Sequence, residues 1–303
     1  MKSMWLLTKR NIKLFFSDKA LFLTALITPV ILLVLYVTFL RQLYMDTYTQ
    51  VIRDGFNASV SDGVLSGLVG GQLVSSLLSV MCITVSVSSN MLMVQDKYTG
   101  MTADMGVSPV KKHIMPISYY IATVFVTMVI ALVTLCGCFI YIAAVGWYLS
   151  LVDILMILLD TFLLVMLGTA FSSVINFFLS SQGQISAVGS TISSCYGFIS
   201  GAYMPLSQFP EWLQRVVSFL PGTYGTALLR EHSMRGSLDA MSDEGLGEEV
   251  ISALRESADC AIYFFDTKVE VWQSYLIICG AIILLLGIYI GLNYLSLGKK
   301  RTT

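Results

Sequence analysis

Six stretches of roughly twenty or more apolar residues dominate this chain, and each is long enough to cross a hydrocarbon core. They run from Leu21 to Leu40, Leu68 to Val94, Ile114 to Val145, Ile154 to Leu179, Ile185 to Tyr203 and Val271 to Leu295. Every backbone polar group must find its partner inside the chain at that depth, so these spans predict an all-α integral membrane protein with six transmembrane helices. Composition excludes an ordinary soluble domain: 56% of residues are hydrophobic, 12% are charged and the mean hydropathy is +0.77. Six cysteines fall almost wholly within the spans and predict no disulfide framework. Cys136 and Cys138 read as small apolar filler, and no metal site is expected.

Basic residues give the orientation, because Lys and Arg stay in cytoplasmic loops. Lys2, Lys9, Arg10, Lys13 and Lys19 precede the first span, Lys97, Lys111 and Lys112 separate the second from the third, and Lys299, Lys300 and Arg301 follow the sixth. The segment from Met204 to Glu270 carries eleven acids against five bases. Both termini are therefore expected in the cytoplasm, with 204–270 on the other side of the cell membrane. The start is not a cleavable signal peptide, since its apolar run is span-length. Instead 1–20 reads as an amphipathic interfacial helix, with Met4, Trp5, Leu7, Ile12, Phe15 and Phe16 on one arc and Lys2, Lys9, Arg10 and Lys13 on the other.

Two segments interrupt the spans. Over 95–113, Gly100, Gly106 and Ser108-Pro109 limit the insert DKYTGMTADMGVSPVKKH to a helical turn or two. Over 201–230, the run GAYMPLSQFPEWLQRVVSFLPGTYGTALLR breaks at Pro205, restarts after Pro210 and breaks again at Pro221. The ten residues between the last two breaks would cover about half a hydrocarbon core, so they cannot cross it and predict a re-entrant hairpin. Trp212, Phe209 and Phe219 would sit at headgroup level, with Glu211 and Arg215 in water. Beyond it, Val250, Ile251 and Leu254 predict a small helix starting near Ser242-Asp243.

Polar residues within the spans are the candidate pathway. Gln72, Ser75, Ser79, Ser86 and Asn90 form one stripe on the second span, which either packs against a neighbour or lines a route. Asp160, in the fourth span, is costly in a membrane and reads either as an interfacial residue or as a cation or proton site. The fifth span is rich in small residues, among them Ser190, Ser194 and the Gly197-x3-Gly201 pair, which permits close helix packing.

The N-terminal amphipathic helix, the insert with Asp96, Lys97, Gly100, Ser108 and Pro109, and the run containing Gly201, Pro205, Pro210, Trp212, Pro221, Thr223, Tyr224 and Arg230 together resemble the permease subunits of type-2 ABC exporters. That family usually has Glu and Arg where this chain has Asp96 and Lys97. The resemblance implies a bacterial plasma-membrane permease domain over 1–303, paired with a second or paralogous permease and driven by cytoplasmic ABC ATPase subunits. It assigns ATPase coupling to Asp96, Lys97, Tyr98, Gly100, Thr102 and Asp104, with Trp5, Lys9 and Lys13 on the interfacial helix. It assigns an outer gate to Pro205, Phe209, Trp212, Pro221 and Tyr224. No cofactor belongs to the chain itself, ATP and Mg²⁺ being bound by the ATPase; lipids surround it, and nucleic acid is not an expected partner. A phosphate-cradling loop needs Gly-x4-Gly-Lys-Ser/Thr, and the nearest match, Gly298-Lys299, has Asn293 and Lys300 at the other required positions. Amphipathic compounds such as drugs, peptides or lipid-like molecules are the expected cargo. An ion-coupled secondary transporter using Asp160 is the alternative.

Overall fold

A computed structural model describes residues 2–56, 60–107, 110–111, 113–265 and 267–299. It is a helical bundle containing five helices long and apolar enough to cross a membrane, at Lys19–Arg53, Asp62–Tyr98, Ile114–Val145, Leu151–Phe178 and Val271–Leu295.

An initial helix, α1 (Lys2–Ser17), packs on the third long helix and leads through the Asp18 cap into the first. That first long helix comprises α2 (Lys19–Leu35) and α3 (Arg41–Gln50), separated by a π-helical turn at Tyr36–Leu40. It extends well beyond the expected end at Leu40, because Tyr36, Tyr44 and Tyr48 carry its buried face onward among the other helices. The second comprises α4 (Asp62–Ser89) and α5 (Met91–Tyr98), and is followed by the short α6 (Met101–Val107). Next come α7 (Ile114–Val145) and α8 (Leu151–Phe178), the latter opened by a reciprocal Ser150–Asp153 capping box.

The most apolar span window of α4 is buried throughout, whereas those of α2 and the last long helix are mostly exposed. This places α4 at the centre, with its neighbours' outer faces left for lipid. Close approach makes the arrangement possible. A Cβ on Gly71 would strike the carbonyl of Ser233, so only glycine lets the backbones of these two helices meet there.

The fifth predicted span departs from expectation. Its helix, α9 (Gln182–Ile199), is not among the five long apolar helices, and the chain reverses at Gly201 instead of continuing to Tyr203. A short turn at Leu206–Gln208, then α10 (Glu211–Val217), leads to α11 (Pro221–Asp243). At seven residues and about 10 Å, α10 cannot cross a membrane. By contrast, α11 runs antiparallel along α4, since Thr226 meets Ser79 while Ser233 lies over Gly71. Thr226, in its second turn, lies beside Ser79 about 25 Å along α4 from Asp62, and the helix ends where Glu244 meets Ser61.

Ser242 and Asp243 therefore close α11 rather than start the small helix, which is α12 (Glu248–Ser257). Its Val250 and Leu254 are buried, the face expected from their spacing. A two-stranded antiparallel hairpin, β1 (Ile262–Phe264) and β2 (Thr267–Val269), follows and leads into α13 (Val271–Lys299). Nothing in the apolar periodicity pointed to these strands.

Candidate functional site

Two clusters of polar side chains stand about 30 Å apart along α4 and α5, one at the end bearing the termini and one midway along α4. At the end bearing the termini, α5 prolongs α4 and carries Asp96 inward. Arg10 of α1 donates to both its carboxylate oxygens, at 2.6 and 3.1 Å, and the Tyr119 hydroxyl of α7 donates to one of them. The hydrogen bond to Asp96 holds the Arg10 guanidinium above its ordinary pKa. Lys97 points the other way and donates to the carbonyls of Asn176 and Phe177 at 2.9 and 2.6 Å. A cation on the last carbonyls of α8 satisfies groups the helix leaves without partners and favours its negative end. Asp96 and Lys97 thus join α1, α7 and α8 to the start of the insert.

Beyond them the insert turns outward. Tyr98, Met101 and Asp104 are exposed, Thr102 is half-buried, and Gly100 makes the turn at φ +82° with open space around its Cα. The expected helical turn or two is α6; Ser108, Pro109 and Lys112 lie outside the described residues. On α1, Thr8, Asn11 and Phe15 face the bundle, while Trp5, Lys9 and Lys13 are exposed.

Distal to it, midway along α4, the break after α9 is held by a buried charge. Arg230 of α11, 1% exposed, contacts Asp259 at 3.2 Å, the Gly201 carbonyl and Ser76 of α4. Asp259 in turn accepts from the backbone N–H groups of Leu206 and Ser207. Burial raises the Asp259 carboxyl, against the opposing pull of Arg230 and those two donors. Gly201 adopts φ +73°, and the Tyr203 N–H bonds the Gly197 carbonyl at 2.9 Å, closing α9 as a left-handed cap. The Tyr203 ring occupies the space a Cβ on Gly197 would need. The Gly197-x3-Gly201 pair consequently serves this reversal, not the helix pairing its spacing suggested.

The residues expected to form an outer gate surround the same break. Pro205 is buried, Phe209 half-buried and Trp212 exposed, and Pro221 opens α11 at a position where its missing N–H costs nothing. Tyr224 donates to the Ser218 carbonyl at 2.6 Å, and Thr223 to that of Val217 at 3.1 Å, fixing the turn between α10 and α11.

The α4 stripe turns inward along its whole length. Ser79 meets Thr226 at 2.5 Å, Ser86 bonds the Cys82 carbonyl, and Asn90 donates to Ser172 and Ser173, while Gln72 and Ser75 are fully buried. Asp160 is neither exposed nor free. His232 of α11 lies 2.6 Å from one carboxylate oxygen, and the Tyr275 hydroxyl of α13 donates to the other at 2.7 Å. Ser190 and Ser194, by contrast, lie on the exposed face of α9 with Ser186 and Thr191.

Sequence reasoning placed Arg230 in its motif without a role and missed His232 and Asp259. Their only signal in the sequence was the residue type itself, a titratable group after the last proline break and an acid before Cys260, neither interpretable without its partner. A family model described as ABC-2 type transporter matches residues 2–232. No curated protein matches the chain.

Proposed function

The chain belongs to the ABC-2 type transporter family, and from that premise we propose that it pairs with a second permease copy to form the membrane pathway of an exporter driven by separate cytoplasmic ATPase subunits. As a member it is a transport subunit of the membrane and not itself the catalyst of ATP hydrolysis.

The observation that carries the ATPase reading is the end bearing the termini. Its exposed tip, Tyr98, Met101 and Asp104, is joined by Asp96 and Lys97 to three helices of the bundle. A push on that tip is thereby delivered to α1, α7 and α8 at once. We assign this end to the cytoplasm on the positive-inside distribution.

The exposed Ser186, Ser190, Thr191 and Ser194 face supports the second copy. A hydroxyl-bearing face is a poor match for lipid, and pairing it with another subunit across a hydrated route gives it polar surroundings. The broken end at Gly201 to Pro221 then closes that route on the far side, the cargo being amphipathic. The ion-coupled alternative loses its main support because both oxygens of Asp160 are occupied.

The test is ATP hydrolysis in reconstituted membranes. The chain alone is expected to show none, and the complex with its ATPase to show cargo-stimulated turnover that Lys97→Glu abolishes without loss of assembly. Hydrolysis by the purified chain alone refutes the division of labour, and full coupling in Lys97→Glu refutes the assigned lever.

A further inference from the structure

We propose that α10 and the β1–β2 hairpin form one aromatic anchor seated in the lipid headgroup layer, tying the broken helix to the start of α13. The proposal rests on the chain being a membrane protein and not on its coupling to an ATPase.

Three-residue strands in a lone hairpin are marginal in water, so something else must hold this one. The rings do so. Phe219, just past α10, packs edge-on against Phe264 at 5.2 Å and Phe265 at 6.2 Å, and Phe264 against Phe265 at 5.0 Å. Arg215 of α10 lies 5.7 Å over the Phe265 ring. The two elements therefore move as a single body, although more than forty residues of chain separate them.

That body shows its apolar side outward. Trp212 is 67% exposed, Phe219 64% and Phe265 49%, with Val216 and Tyr263 also open. Exposed rings packed on one another in this way mark a contact surface. Its occupant follows from what comes next in the chain: Val271, Trp272 and Leu276, at the start of α13, are exposed on a helix long and apolar enough to cross a membrane. Aromatic rings interleaved with Glu211, Arg215 and Lys268 match the boundary between hydrocarbon and water, where an amphipathic ring is best placed.

Phe265 supplies an independent reason. Its φ of +53° is the left-handed region, which costs a bulky residue energy and a glycine almost none. A phenylalanine at such a position points to use of the ring itself, which meets Phe219, Phe264 and Arg215.

The test places nitroxide labels at Phe219→Cys and Phe264→Cys in the full chain, with native cysteines replaced, in lipid nanodiscs. Ser252→Cys on α12 is the aqueous control. Lipid-soluble oxygen is expected to collide with both labels several-fold more than a water-soluble nickel chelate does, with the reverse at 252. Nickel dominance at either anchor label overturns the proposal by showing a water-filled vestibule. Low collision with both reagents, together with spin coupling between copies, overturns it by showing that a second subunit covers the patch. Phe265→Gly keeps the turn without strain. It is expected to lower thermal stability in bilayers, and an unchanged or raised midpoint refutes the role of the ring. Should the ATPase assignment fail, these readings stand unchanged.

Discussion

Two levels of the bundle, the middle of α4 and the end bearing the termini, use similar ion pairs in different surroundings. Beside the middle of α4, Arg230 and Asp259 have side chains 1% and 8% exposed, whereas at the end bearing the termini Arg10 and Asp96 are 27% and 8% exposed. The first pair is sealed and holds together the stop of α9, the following loop and the middle of α4. The second lies under a segment open to water, with one partner on a short helix outside the five long ones. Removing one member of a sealed pair leaves an uncompensated buried charge, while removing one member of a half-open pair lets water take its place. The distal pair is thus a fastening, and the terminal pair a joint that can be worked from outside.

The sharpest way to break this comparison is Arg230→Ala. It should cost about 3 to 5 kcal/mol by stranding Asp259, read as a large fall in thermal midpoint or as failure to assemble. A midpoint equal to wild type would show the distal pair to be no fastening at all. Gly71→Val probes the same region through packing, by driving a side chain into the Ser233 backbone, and should cost about 1 to 3 kcal/mol.

Asp96→Ala sharpens the contrast from the other end. It frees the Arg10 guanidinium, which is partly open to water, and leaves the buried Tyr119 hydroxyl without its acceptor, so stability should fall by about 1 to 2 kcal/mol, less than for Arg230→Ala. ATP-coupled transport should nevertheless drop strongly, and a variant destabilised as much as Arg230→Ala while still transporting would reverse the assignment.

The smallest effect concerns Glu244, whose carboxyl is held below its ordinary pKa by the Ser61 hydroxyl and backbone N–H. A depressed carboxylate stabilises the fold above its unfolded pKa, and that contribution disappears as pH falls through the lower folded value. Hydrogen exchange at the start of α4 should therefore quicken on acidification below about pH 4. Glu244→Gln should remove that pH dependence; an unaltered profile would mean that the contact does not form.

Legibility in the sequence followed the kind of force involved. The long helices were readable because uninterrupted apolar runs admit few alternatives in a bilayer, and the break was readable because proline removes donors wherever it stands. The course of α11 was not, since it is nearly neutral in hydropathy and buried only because α4, α8 and α13 surround it. The hairpin was also missed. Ile262, Tyr263, Phe264, Thr267 and Val269 favour strands, but in so short a run that signal was lost between a helix and a span.

By itself the sequence determined the membrane class, the course of five long helices apart from the far end of the first, and the proline breaks after α9, because these depend on transfer from water and on local backbone geometry. Only the tertiary structure decided that the α4 stripe faces inward, that Asp160 meets His232 and Tyr275, and that Arg230 closes the break through Asp259. A polar residue in a membrane helix must find a partner, but apolar periodicity does not say on which neighbouring helix that partner stands. The choice is made by the close approach of backbones at positions such as Gly71, and so by packing of the whole bundle.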